Sequence, residues 1–115
     1  MKGSIIRTAV IGMGNMGSQY AALLAAGQVP GMELAAVTRV RPEMLAARGL
    51  VLPAGLPVYP TADALFAAVD RGELALDAVI IATPHRLHEQ QAVAAMQRRL
   101  AVLCDKPAGI ASAAA

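Results

Sequence analysis

Ile5-Ile6-Arg7-Thr8-Ala9-Val10-Ile11-Gly12-Met13-Gly14-Asn15-Met16-Gly17 is the stretch that decides the fold. A short apolar run passes straight into a Gly12-x-Gly14-x-x-Gly17 turn, and an Ala/Leu pattern at helical spacing follows. Strand, glycine turn and helix in that order are what a dinucleotide pyrophosphate site needs. Gly12 allows the tight turn off the strand. Gly14 lets the backbone approach a phosphate with no Cβ in the way, and Gly17 lets the helix pack close to the strand. The free N–H groups and the positive end of that helix then face the anion. The competing reading is a glycine turn that serves packing alone.

Working outward, strands and helices alternate. Ile5–Ile11 reads as a buried strand, and Asn15–Ala26 as a helix that Gly27 and Pro30-Gly31 end. Glu33–Thr38 is a second strand, and Pro42–Arg48 a short helix opened by proline. A short edge strand fits around Val58-Tyr59, between prolines. Thr61 is an N-cap for Ala62–Val69, with Asp63 in the first turn. Asp77–Ala82 is the most strand-like run, His85–Arg99 a long helix, and Ala101–Cys104 a further buried strand. Ile110–Ala115 resembles the first turn of another helix. The pattern βαβαβαβαβ predicts an α/β, doubly wound parallel sheet of Rossmann type, in strand order 3-2-1-4-5, truncated before its sixth strand. Its ligand crevice is expected at the carboxyl ends of strands 1 and 4. Residues 1–115 read as one dinucleotide-binding domain.

Composition narrows the function classes. Hydrophobic residues make up 57% of 115 and aromatics only 3%, which suits a sheet covered by Ala-rich helices and leaves little for stacking on bases of nucleic acid. A net charge of +2 argues for neither a nucleic-acid nor a membrane partner. No run approaches the roughly 18 apolar residues of a membrane span. The apolar N-terminal run is broken by glycines, unlike a signal peptide, so a cytoplasmic protein is expected. The single cysteine, Cys104, excludes an internal disulfide and reads as a buried thiol.

Four loops leave the carboxyl ends of the strands. The first is the glycine turn. The second, Thr38-Arg39-Val40-Arg41, lacks the acid that holds an NAD ribose about 20 residues past the glycines. A guanidinium can instead grip a 2′-phosphate, so the loop favours NADP, with NAD possible. The alternative is two solvated arginines at a helix start. The third loop is Thr83-Pro84-His85-Arg86-Leu87-His88. Pro84 ends the strand, and the two histidines share one helix face. A metal site would need a third ligand, and no such motif exists. The histidines read either as one near the cofactor or as two solvated side chains. The fourth loop, Asp105-Lys106-Pro107-Ala108-Gly109, offers a lysine able to donate to a substrate oxygen, or else a surface turn.

The last two loops carry a family resemblance. A-V-I-I-A-T-P-H-R-L-H-E-Q-Q-A-V-A-A-M followed by V-L-C-D-K-P resembles the nucleotide-binding half of the Gfo/Idh/MocA oxidoreductases, and the likeness runs from Arg7 to Gly109. The resemblance implies an NAD(P)-dependent enzyme that transfers a hydride to or from a sugar, polyol or similar small carbonyl or hydroxyl compound. It implies that Gly12, Met13, Gly14, Asn15, Met16 and Gly17 hold the pyrophosphate, and Thr38 and Arg39 the adenosine ribose. Thr83, Pro84 and His88 are implied along the cofactor, Asp105 at a ribose, and Lys106 as the active-site lysine beside the nicotinamide. Asp105 stands where glutamate is usual and His85 where asparagine is usual. The family's C-terminal substrate domain, which supplies most of the substrate pocket and usually the homo-oligomer interface, is absent from these residues. That absence predicts an inactive chain with an uncovered edge at Ala101–Cys104. A stand-alone nucleotide-binding or regulatory module is the rival reading.

Overall fold

In the computed structural model, described over residues 5–39, 42–47, 49, 52–83 and 85–104, nine elements follow one another. They are β1 (Ile6–Ile11), α1 (Asn15–Ala25), β2 (Met32–Thr38), α2 (Pro42–Ala47), β3 (Val58–Tyr59), α3 (Ala62–Asp70), β4 (Ala78–Ile81), α4 (His85–Gln97) and β5 (Ala101–Cys104). The side chains at 15, 16, 42, 44, 85 and 104 lie outside the description, as does the expected helix start at Ile110–Ala115. The strands form one parallel sheet in the order β3-β2-β1-β4-β5. The expected order is therefore the observed one.

Side-chain alternation explains why helices cover both faces. Ala9 and Ile11 of β1, with Val79 and Ile81 of β4, point to one face and pack against Leu65, Phe66 and Ala95 of α3 and α4. Val10, Val37 and Ile80 point to the other and meet Ala21 and Leu24 of α1, with Leu45 of α2 alongside. A strand buried on both faces must be apolar along its length, and Ala9 to Ile11 are all at most 1% exposed. One irregularity interrupts the β1–β2 ladder. Thr8 pairs with Leu34 but Ala9 with Ala36, so Ala35 is an extra residue on β2.

The helix ends follow local chemistry. The Thr61 hydroxyl accepts a hydrogen bond from the Ala64 N–H at 3.0 Å, which makes the expected N-cap of α3 an observed one. Arg98 of the α4–β5 turn ties α4 to α3. Its guanidinium makes a two-pronged pair with Asp70 at 2.9 Å and lies 5.0 Å from the centre of the Phe66 ring. β5 is an outer strand of the sheet, and Leu103 on it is 42% exposed. No helix among the described residues is long and apolar enough to cross a membrane.

Candidate functional site

The carboxyl ends of the four strands β1 to β4 open into a cleft of about 460 Å³. Its walls are Ile11 to Gly14 from the glycine turn, Thr38 and Arg39 after β2, Pro60 to Ala62 at the start of α3, and Ala82, Thr83, Leu87 and Gln91 from β4 and α4. The crevice lies where the strand order reverses between β1 and β4.

The three glycines of the turn meet three different surroundings. Gly12 has φ +95°, and a Cβ there would fall 2.7 Å from the Thr83 methyl and 2.9 Å from the Ala82 carbonyl. Backbone conformation and crowding both demand glycine. A Cβ on Gly17 would sit on the Gly12 carbonyl oxygen, far inside contact distance, so α1 can approach β1 only without one. Gly14 has nothing within 4 Å of its would-be Cβ, and its φ of −80° suits any residue. Packing therefore requires Gly12 and Gly17, whereas Gly14 keeps space open. α1 begins beside that space with its first N–H groups unpaired within the helix, an arrangement that suits an anion.

Hydrogen bonds fix the turn from both sides. The Gly12 N–H donates to the Thr38 hydroxyl at 3.0 Å, so the loop after β2 is pinned to the glycine turn. Thr38 is 3% exposed, and this bond is a task that its expected ribose contact did not include. The buried Ser18 hydroxyl donates to the Met13 carbonyl at 3.1 Å and braces the other limb of the turn. Arg39, exposed at the cleft, has φ +45°, a left-handed conformation that costs a branched-free side chain about 1 kcal/mol. Its N–H donates to the Tyr59 carbonyl at 2.9 Å, which holds the bend. Arg41 lies outside the described residues.

On the far wall, Thr83 is held at both ends. His88 Nε2 lies 2.6 Å from the Thr83 carbonyl oxygen and donates to it, and the Thr83 hydroxyl donates to Gln91 Oε1 at 2.5 Å. His88 is only 8% exposed and stands behind the cleft wall, acting on it through Thr83. Pro84, Asp105 and Lys106 lie outside the described residues, as do the side chains of Asn15 and Met16. The structure thus brings Gly12, Met13, Gly14, Thr38, Arg39 and Thr83 to one cleft. Sequence reasoning missed Gln91, Leu87 and the Pro60–Ala62 rim. The available signal was the spacing of Leu87, His88 and Gln91, which places all three on the side of α4 that faces back toward β4.

Comparison with known proteins agrees with this geometry. The family model for Gfo/Idh/MocA proteins, described as an oxidoreductase family with an NAD-binding Rossmann fold, matches residues 6–115. An inositol 2-dehydrogenase of Mycolicibacterium smegmatis is 33% identical over 105 residues, which are 90% of this chain and 28% of that protein. The apo scyllo-inositol dehydrogenase of Lactobacillus casei superposes with a TM-score of 0.71 at 26% identity, over 93% of this chain and 30% of the other. The same enzyme with bound NAD(H) and scyllo-inositol gives a TM-score of 0.67 at 25% identity, over 88% and 28%. The chain thus spans under a third of the length of the relatives it matches.

Proposed function

The chain belongs to the Gfo/Idh/MocA oxidoreductase family, and on that premise we propose that it is the cofactor-binding part of a dehydrogenase acting on a polyol or sugar hydroxyl. The observation that carries the reading is the glycine turn, packed shut at Gly12 and Gly17 yet open at Gly14, at the mouth of the cleft. The likeness to inositol dehydrogenases supports the polyol class of substrate.

When bound, a nicotinamide cofactor supplies the hydride acceptor or donor. The chain's own residues supply position and charge. The amides at the start of α1 hold the diphosphate, and Thr38 keeps that loop in place. Arg39 favours NADP over NAD, because its guanidinium is exposed at the adenosine side of the cleft and suits a 2′-phosphate. Thr83, fixed by His88 and Gln91, forms the opposite wall. Lys106, assigned through the family motif, donates to or accepts a proton from the substrate oxygen, with Asp105 at a ribose and Pro84 shaping the loop before α4. The remaining substrate contacts and a homo-oligomer interface belong to a further domain, as the length of the relatives suggests. A cytosolic setting completes the proposal.

Titration of the chain with NADPH and NADH, followed by nicotinamide fluorescence, tests the reading. Saturable binding of either is expected, with NADPH tighter. Binding of neither would overturn it.

A further inference from the structure

Gln91 has a role that neither the glycine turn nor the arginine loop covers. It lies mid-way along α4, is 9% exposed, and forms part of the cleft wall. Its side-chain oxygen is committed, since it accepts the Thr83 hydroxyl at 2.5 Å. With the oxygen toward Thr83, the carboxamide turns its nitrogen away from that hydroxyl. The amide nitrogen, with two N–H donors, makes no further hydrogen bond among the described residues. No solvent-sealed side-chain polar atom among the described residues lacks a partner. The nitrogen therefore keeps some contact with solvent, and Gln91 lines the cleft.

The rest of that wall tells what the donors meet. Leu87, one helical turn earlier, presents an apolar flank in the same cleft. Across from them stand Arg39 and the Pro60–Ala62 rim, on the side where a Rossmann domain holds adenosine. An apolar flank beside a nearly buried donor suits a flat heterocycle with acceptor nitrogens in its ring. Adenine has such nitrogens. We propose that Gln91 reads the adenine base of the dinucleotide, donating an N–H to a ring nitrogen while Thr83 holds its oxygen. Thr83 is then a positioning residue for Gln91. The inference rests on the dinucleotide reading above.

The test compares NADH with reduced nicotinamide mononucleotide, which lacks the adenosine half, using the full chain and nicotinamide fluorescence. Two variants are used. Gln91→Glu keeps an acceptor for Thr83 but replaces the donors, and Gln91→Leu removes both functions. A circular-dichroism melt confirms that each is folded, and if the buried carboxylate prevents folding, Gln91→Leu carries the test. The expected result is a loss of NADH affinity of about fivefold to tenfold, the worth of one hydrogen bond, with the mononucleotide unchanged within about twofold. Unchanged NADH affinity in the folded variants overturns the role of Gln91 while leaving the dinucleotide reading intact. A parallel loss for both ligands also overturns it, because Gln91 would then serve only to shape the wall. Failure of the unaltered chain to bind NADH or NADPH overturns the dinucleotide reading and this inference together.

Discussion

The two ends of the sheet are built in opposite ways. At the end where β1 and β4 begin, the strands are clasped by charge. Arg7 reaches the Ala75 carbonyl at 2.8 Å and Glu33 at 2.6 Å, its N–H donates to the Asp77 carboxylate at 2.9 Å, and the Asp77 N–H returns a bond to the Arg7 carbonyl at 2.8 Å. At the other end the ties involve no carboxylate: Gly12 to Thr38, His88 to Thr83, Thr83 to Gln91. Among the described residues, no ion pair involves the cleft wall. A charged clasp would present its own carboxylates to an incoming anion. Neutral hydroxyl and amide ties hold the loops while leaving backbone N–H groups and Arg39 as the dominant local partners for phosphate. On the proposed function, fold maintenance and ligand capture fall at opposite ends of the same strands.

That division can be broken most severely where the two tasks overlap, at Gly17. Gly17→Ala places a methyl on the Gly12 carbonyl oxygen and must push α1 off β1. A destabilisation of about 3 kcal/mol is expected in urea unfolding, with dinucleotide binding lost as well. Retention of both would show that the turn is softer than its contacts imply. Next in size is Arg39→Ala, which should weaken NADPH binding by about 1.5–3 kcal/mol and leave NADH nearly unchanged. Equal affinities of the unaltered chain for the two cofactors, or tighter NADH, would remove the NADP preference from the proposal. Gly14→Ala separates the two tasks. Its new methyl meets no protein atom within 4 Å, so stability should hold while dinucleotide affinity drops about tenfold, or ~1.4 kcal/mol. An unchanged affinity would mean that the diphosphate lies elsewhere. The smallest effect belongs to the clasp: Asp77→Ala should cost about 0.5–1.5 kcal/mol of stability and nothing in cofactor affinity, read by the same urea and fluorescence measurements.

What could be read beforehand divides along physical lines. The three inner strands declare themselves through the apolar runs at residues 9–11, 35–37 and 78–81, because the part of a strand buried on both faces is apolar. Even the two-residue β3 at Val58-Tyr59 is marked by its flanking prolines. The glycines were legible because backbone geometry at Gly12 and contact at Gly17 leave one residue type. Thr38 was placed at the site but not in its observed task, since its bond to Gly12 spans 26 residues and arises only when β2 lies beside β1. Gln91 was illegible for a related reason. On an Ala-rich helix one glutamine among several reads as solvated surface, and only the packing of α4 on the sheet turns it inward. α4 also stops short of the expected Arg99, at Gln97, and the expected end of α2 at Arg48 lies outside the described residues. In α4 the reason is visible: Arg99 adopts φ +63° and turns the chain into β5.

The position of β1 has a consequence for how the chain is made. Of the five strands it is made first, yet it occupies the middle of the sheet, with β2 on one flank and β4 on the other. The Arg7–Asp77 bond closes a separation of 70 residues. At about 5–20 residues per second, synthesis of that interval takes roughly 4–14 s. Through that interval β1 has only β2 beside it, and its apolar residues 9–11 show an open edge to the cell. The part of the molecule that is most deeply enclosed at the end is the part that waits longest for protection.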